Sequence, residues 1–252
     1  MDVACSTFCF EDEPLDLALR RMAELEFTRA DLGVGTNGPH IRPDELISDQ
    51  NGVLAKMRQG PTISVAGVTL RLASTEGETA YVEAAAHLAK QLATAVLTIE
   101  PRGGDGAVGE EIERLAGLQR ICSRQGIVLC VLTKGGTIAG TPSGAIELCK
   151  KLPKLGLSLD PSHLTLAGSN VDDWDDLYPY VRHVFLRDSL KAQELFQTPV
   201  GRGEIDYSKI ILALQRVQYR GALVVDFERG FGGDLEPALE ARKLGRVLES
   251  LL

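Results

Sequence analysis

Residues 112–140 read IERLAGLQRICSRQGIVLCVLTKGGTIAG and hold one complete unit of a repeated plan. Ile112, Leu115, Leu118, Ile121 and Cys122 recur at helical spacing, which predicts an amphipathic helix. The run at 127–134 is then almost continuously apolar, as a parallel strand covered on both faces must be. A glycine-rich loop at 135–140 follows it.

The same order recurs along the chain. Strand-like runs lie at 3–8, 28–34, 62–72, 95–100, 127–134, 156–160, 183–188 and 222–227, each separated by a helix-like segment. In the first of these segments the apolar positions are Leu15, Leu19, Met22, Ala23 and Leu25. Pro14 opens that helix, Thr75 with Glu78 reads as a capping box, and Thr141-Pro142 marks another helix start. The segment 235–252 closes the series. Eight such units predict an α/β fold, a (β/α)8 TIM barrel, with residues 1–252 as one domain. A doubly wound sheet is the competing arrangement, but no G-x-G-x-x-G follows an early strand. Glycine loops at 33–38, 103–109, 135–140 and 230–233 all follow strands, the side on which such barrels build their sites. The loop at 230–233 reads equally well as a lid or as a contact with a partner subunit.

Composition sets limits on function. With 44% apolar and 25% charged residues, the 252-residue chain can bury a core without disulfides or structural metals. Its 27 basic and 35 acidic side chains give a formal charge of −8, which repels a phosphate backbone. Nucleic acid is not an expected partner. Cys5, Cys9, Cys122, Cys130 and Cys149 show no C-x-x-C spacing and read as reduced core thiols. The opening MDVACSTFCFEDE lacks a basic region, and no apolar run is long enough to span a bilayer. The expected compartment is the cytoplasm, and association with further copies of the chain is compatible with the sequence.

Three clusters carry chemistry. LGLSLDPSH (155–163) ends an apolar strand in Asp160 and places His163 three residues on. A carboxylate and a neutral imidazole suit a divalent metal or a sugar hydroxyl; equally, Asp160 caps the following amides at an Asp-Pro turn. In HVFLRD (183–188), His183 and Phe185 face one side, and Asp188 reads either as a substrate-binding carboxylate or as the partner of Arg187 or Arg202. LVVDFE (223–228) puts Asp226 and Glu228 on one face, suited to binding metal or trading a proton, or else to capping a turn. Arg202, between Gly201 and Gly203, reads as a clamp for an anion or hydroxyl.

Over almost the whole chain the sequence resembles the xylose-isomerase-like barrel superfamily of sugar isomerases and epimerases. The resemblance runs from the opening strand and the helix at 15–27 through LGLSLDPSHL and VRHVFLRDS to VGRGEIDYSKIILALQRVQYRGALVVDFE, the most specific part. It implies a divalent metal, commonly manganese, held by a glutamate, an aspartate, a histidine and a second glutamate from the ends of the last four strands. The two glutamates would also move a proton between adjacent carbons. Asp160 matches the aspartate, and His163 matches the substrate-contacting histidine of a D-x-x-H motif. Thr133 falls on the first glutamate, Phe185 on the metal histidine and Asp226 on the second glutamate.

Threonine and phenylalanine supply neither an anionic ligand nor a base at neutral pH. A metal held by Asp160, Asp226 and Glu228 therefore stands beside a metal-free alternative, with Lys134 placing an ammonium near the lost glutamate. Two functions follow: a sugar or sugar-phosphate isomerase or epimerase using Asp160 and Asp226, with His163, Arg202, Asp188 and Lys134 binding substrate, or a sugar- or polyol-binding or regulatory barrel without turnover. The superfamily's endonuclease branch needs several histidines at the barrel mouth. This chain has only His40, His87, His163 and His183.

Overall fold

The computed structural model of the chain describes residues 1–36, 40–103, 108–231 and 234–252. Eight parallel strands close on themselves in chain order: β1 (Asp2–Ser6), β2 (Arg29–Gly35), β3 (Ser64–Arg71), β4 (Val96–Ile99), β5 (Val128–Leu132), β6 (Gly156–Leu159), β7 (Val181–Leu186) and β8 (Ala222–Val225). Pairing of Asp2 with Ala222 through Cys5 with Val225 shuts the barrel, which leaves no sheet edge exposed. The α/β architecture read from the sequence is the one observed.

Helices α1 (Leu15–Glu24), α2 (Pro43–Ser48), α3 (Gln50–Gln59), α4 (Glu78–Gln91), α5 (Val108–Gln125), α6 (Pro142–Lys151), α7 (Pro161–Leu166), α8 (Tyr207–Arg216) and α9 (Pro237–Leu251) connect the strands. Local chemistry sets their starts. Pro14 stands at the N-cap of α1, and the Thr141 hydroxyl accepts from the Gly144 amide at 3.2 Å to open α6. The expected capping box at Thr75 does not form. Gly77, at φ +71°, is the cap of α4, and the Glu78 carboxylate turns to Arg114 instead. A charged partner outcompetes the backbone amide for that carboxylate.

The main core lies between sheet and helices and includes Leu19, Val68, Leu115, Leu157 and Leu244. A smaller cluster of Ala4, Ala66, Leu132, Phe185, Ala222 and Val224 is separate from it. Polar pairs join strands that are not neighbours and so span the barrel's interior. His183 Nε2 on β7 meets Asp31 Oδ2 on β2 at 2.8 Å, and Thr98 on β4 meets Ser158 on β6 at 2.7 Å. These four buried groups are thereby paired, which removes most of their desolvation cost. Gly67 makes the first pair possible: a Cβ there would stand 2.7 Å from Asp31 Oδ2 and 2.9 Å from the His183 ring.

All five cysteines are free and buried, as their apolar surroundings suggest. Among the described residues no helix is long and apolar enough to cross a membrane. Of the expected glycine loops, that at 135–140 is described throughout, whereas parts of those at 33–38, 103–109 and 230–233 lie outside the described residues.

Candidate functional site

A cavity of about 270 Å³ opens at the C-terminal ends of the strands. Its wall includes Arg71 at the end of β3, Glu100 after β4, Lys134 after β5, Arg187 after β7, and Asp226 and Glu228 after β8. Alternation along each strand explains the selection. Thr69 and Arg71, Phe185 and Arg187, and Asp226 and Glu228 are two apart and face the same side.

The centre is a buried ion-pair network. Arg187 Nη2 lies 2.6 Å from Asp226 Oδ2 and 3.1 Å from Asp160 Oδ2, while its Nη1 lies 3.1 Å from Glu228 Oε1. Arg71 adds a second guanidinium, with Nη2 3.0 Å from Asp226 Oδ2 and Nη1 3.2 Å from Glu228 Oε1. Each arginine rests on an aromatic ring: Arg71 over Phe8 at 4.0 Å and Arg187 over Phe196 at 4.4 Å. Gly33 clears space for the first ring, since a Cβ there would meet Phe8 at 2.7 Å. Such stacking favours guanidinium over ammonium.

Charge states follow from this packing. Burial pushes the Asp226 carboxyl upward, but Arg187 and Arg71 outweigh it and hold the group below the usual carboxylate range. Burial would lower the Arg187 pKa; Asp160, Asp226 and Glu228 raise it instead. His163 lines the cavity against Phe196, with ring centroids 4.6 Å apart. Burial lowers its pKa; Asp160 opposes the shift, and Arg187 and Lys134 reinforce it, so the ring is neutral at pH 7.

The expected site residues divide. Asp160, His163, Lys134, Asp226 and Glu228 gather at this cavity, with Asp160 fully buried behind Arg187. Asp160 fills the capping role read from its motif, with Oδ1 accepting from the Ser162 amide at 2.9 Å to cap α7, while Oδ2 faces Arg187. Lys134 pairs with Glu100. Asp188 and Arg202 stand apart from the cavity wall. Asp188 accepts the amides of Ser189, Gly201 and Gly203 at 3.1, 2.8 and 3.0 Å and pairs with neither arginine offered as its partner. The two glycines serve that turn, and Arg202 between them is exposed. Burial raises the Asp188 pKa, and these amides oppose the rise.

Arg71, Arg187 and Phe196 were not singled out as site residues by the sequence reading. The available signal was the alternation of Arg71 with Thr69 and of Arg187 with Phe185 on strands leading to the mouth. Nothing local marks Phe196, which sits in the connection between β7 and α8.

The position expected of a metal does not fit one. Thr133 Oγ1 accepts the Asp160 amide at 2.8 Å, Phe185 forms part of the cavity wall, and the remaining carboxylates converge on Arg187. A second cation among them would face the guanidinium within hydrogen-bonding distance of its own ligands. Among the described residues no group of three or more His, Cys, Asp or Glu side chains is placed to hold a metal ion.

The chain belongs to the xylose isomerase-like TIM barrel family, whose model matches residues 20–251. No curated protein matches it by sequence. Among solved structures, D-psicose 3-epimerase crystallised in the presence of D-fructose superposes with a TM-score of 0.77 at 14% identity, covering 100% of this chain and 99% of that one. A xylose isomerase-like TIM barrel protein from Mycobacterium smegmatis in complex with magnesium gives 0.74 at 18% identity, covering 100% and 97%. The IOLI protein with a bound zinc atom gives 0.73 at 18%, covering 100% and 99%. At these identities the likeness is one of fold.

Proposed function

We propose that the cavity takes a neutral sugar or polyol of about monosaccharide size and does so without a resident divalent metal. The observation that carries this reading is the place of Arg187 among Asp160, Asp226 and Glu228. Size and charge support it. The volume of about 270 Å³ falls just below the span usual for drug-sized ligands. Three cationic and three anionic side chains line the wall, and Asp160 behind Arg187 adds a fourth carboxylate, so no positive surplus awaits a phosphate. His163, Phe196 and Phe231 supply aromatic faces for the sugar's C–H surface.

A second reading adds turnover, an isomerisation or epimerisation of that sugar. It is favoured by Glu228, 21% exposed at the side chain, and by the neutral His163, both able to accept a proton from a carbon beside a carbonyl. The Arg187 and Arg71 donors would stabilise the negative oxygen that forms.

Thermal stabilisation by a panel of aldoses, ketoses, polyols, sugar acids and sugar phosphates, recorded in excess chelator, tests the first reading. Stabilisation by a neutral member is the expected result; response only to phosphates, or only after metal is added, overturns it. Deuterium uptake from heavy water into the stabilising sugar, followed by NMR, separates the enzyme from the binding barrel.

A further inference from the structure

We infer that the ligand is a neutral disaccharide, with one sugar ring in the cavity already described and the second in a larger chamber beside it, the two joined across the Glu100–Lys134 ion pair. The inference deepens the sugar reading above and rests on it.

The outer chamber measures about 630 Å³, more than twice the inner cavity and within the span usual for small-molecule sites. Its place follows from alternation on two strands. Thr69, Arg71 and Thr98 line the inner cavity, whereas Leu70, Leu72 and Ile99 point the other way and line the outer chamber. Glu100 and Lys134, just past the ends of β4 and β5, belong to both walls. Their side chains are 30% and 37% exposed, so the pair borders the two spaces without sealing one from the other. A glycosidic linkage crossing there meets an ammonium that donates and a carboxylate that accepts.

The chemistry of the outer wall selects the second unit. Arg114, 8% exposed, is held by Glu78 and by Glu111, whose Oε1 lies 2.6 Å from Nη2. The same Nη2 reaches the Glu100 carbonyl at 3.5 Å, which ties this wall to the boundary pair. Arg102 lies 3.9 Å from Glu111, so each of the chamber's three cations already has an acid beside it, and a phosphate would have to displace one. Among the described residues no aromatic side chain lines this chamber, which leaves a flat aglycone without a ring to stack on. Leu72, Ala73 and Pro101 offer small apolar surfaces, and Ser74 and Thr75 offer exposed hydroxyls. That mixture matches a sugar ring, with its C–H face and its rim of hydroxyls.

Calorimetric titration in excess chelator compares glucose, galactose and fructose with maltose, cellobiose, lactose and sucrose, on wild type, Ala73→Trp and Ser74→Trp. Both positions are exposed and line the outer chamber but not the inner cavity, so an indole there fills the chamber without entering the core. At least one disaccharide is expected to bind wild type about tenfold or more tightly than either component sugar, and each tryptophan should cut that ratio to below about threefold. Either folded variant suffices for the comparison. The inference is overturned if no disaccharide outbinds its components on wild type, or if the ratio survives in a folded tryptophan variant. Monosaccharides that bind with no gain from a second ring sink this inference and leave the sugar reading standing; a protein that binds no member of either set overturns both.

Discussion

Arg187 and Asp226 meet at 2.6 Å with side chains 2% and 1% exposed, and Arg71 approaches the same carboxylate oxygen at 3.0 Å. Removing the shared acid takes one carboxylate partner from the buried Arg187 and one from the partly exposed Arg71. Breaking one side of a buried pair typically costs about 3–5 kcal/mol, and Asp226→Asn is expected at the lower end because Asp160 and Glu228 remain beside Arg187. The exposed Lys209–Asp172 pair is the control; Asp172→Asn should cost less than about 1 kcal/mol. Denaturant unfolding of the two variants checks the difference, and equal losses would contradict a buried network.

Stability should depend on pH through His163. Burial holds its folded pKa below the ordinary histidine value of 6.5, so between those two values the unfolded chain binds more protons and acid favours unfolding. The contribution is fully present above 6.5 and is lost as pH falls through the folded value. His40 is shifted the same way by burial, so His163→Gln should remove part of the acid-side slope and leave the rest. Melting temperatures from pH 8 to 5 for both proteins check this; identical slopes would place His163 in contact with solvent.

Much of the fold was legible because strand periodicity and chain order are local properties. Eight apolar runs announced eight strands, and Thr141-Pro142 announced the start of α6. The Thr75 box failed because Glu78 found Arg114, a partner 36 residues away that no window on the sequence contains. The site was legible by half for the same reason. Asp160, Asp226 and Glu228 follow strand ends and His163 stands in the helix just past β6, where position predicts the mouth. The pairing of Arg187 with acids from β6 and β8 is tertiary, and the arginine beside Asp188 in HVFLRD looked like a local ion-pair partner. Alternation in fact separates the two: Arg187 lines the cavity, and Asp188 turns to the backbone of residues 189–203.

That turn gives a prediction at a distance from the cavity. Gly203 packs so closely that a Cβ would lie 2.0 Å from Asp188 Oδ1 and 2.5 Å from the Ser189 carbonyl, which backbone cannot yield cheaply. Gly203→Ala should break the Asp188 amide cradle, lower stability by roughly 1–3 kcal/mol and loosen the connection that carries Phe196. Arg202→Ala, one residue away and exposed, should leave both stability and sugar response unchanged. Thermal melts with and without the stabilising sugar compare them, and a ligand loss in Arg202→Ala would return that residue to the site.

Phe196 touches three elements of the site at once: it stacks on Arg187 at 4.4 Å, on His163 at 4.6 Å and edge-on to Phe231 at 5.7 Å. Phe196→Leu keeps apolar bulk but removes the ring's face, so the guanidinium loses a cation–π contact worth about 1–2 kcal/mol when desolvated. The variant should remain folded, because the ring is only half-buried and lies outside the main core. Sugar affinity, measured by calorimetry, should fall by about tenfold, since Arg187 is then free to tilt and the ligand's C–H surface has lost its platform. Phe196→Tyr retains the face and should retain most of the affinity. If leucine binds as well as phenylalanine, ring stacking contributes nothing to recognition, and Arg187 is held by its carboxylates alone.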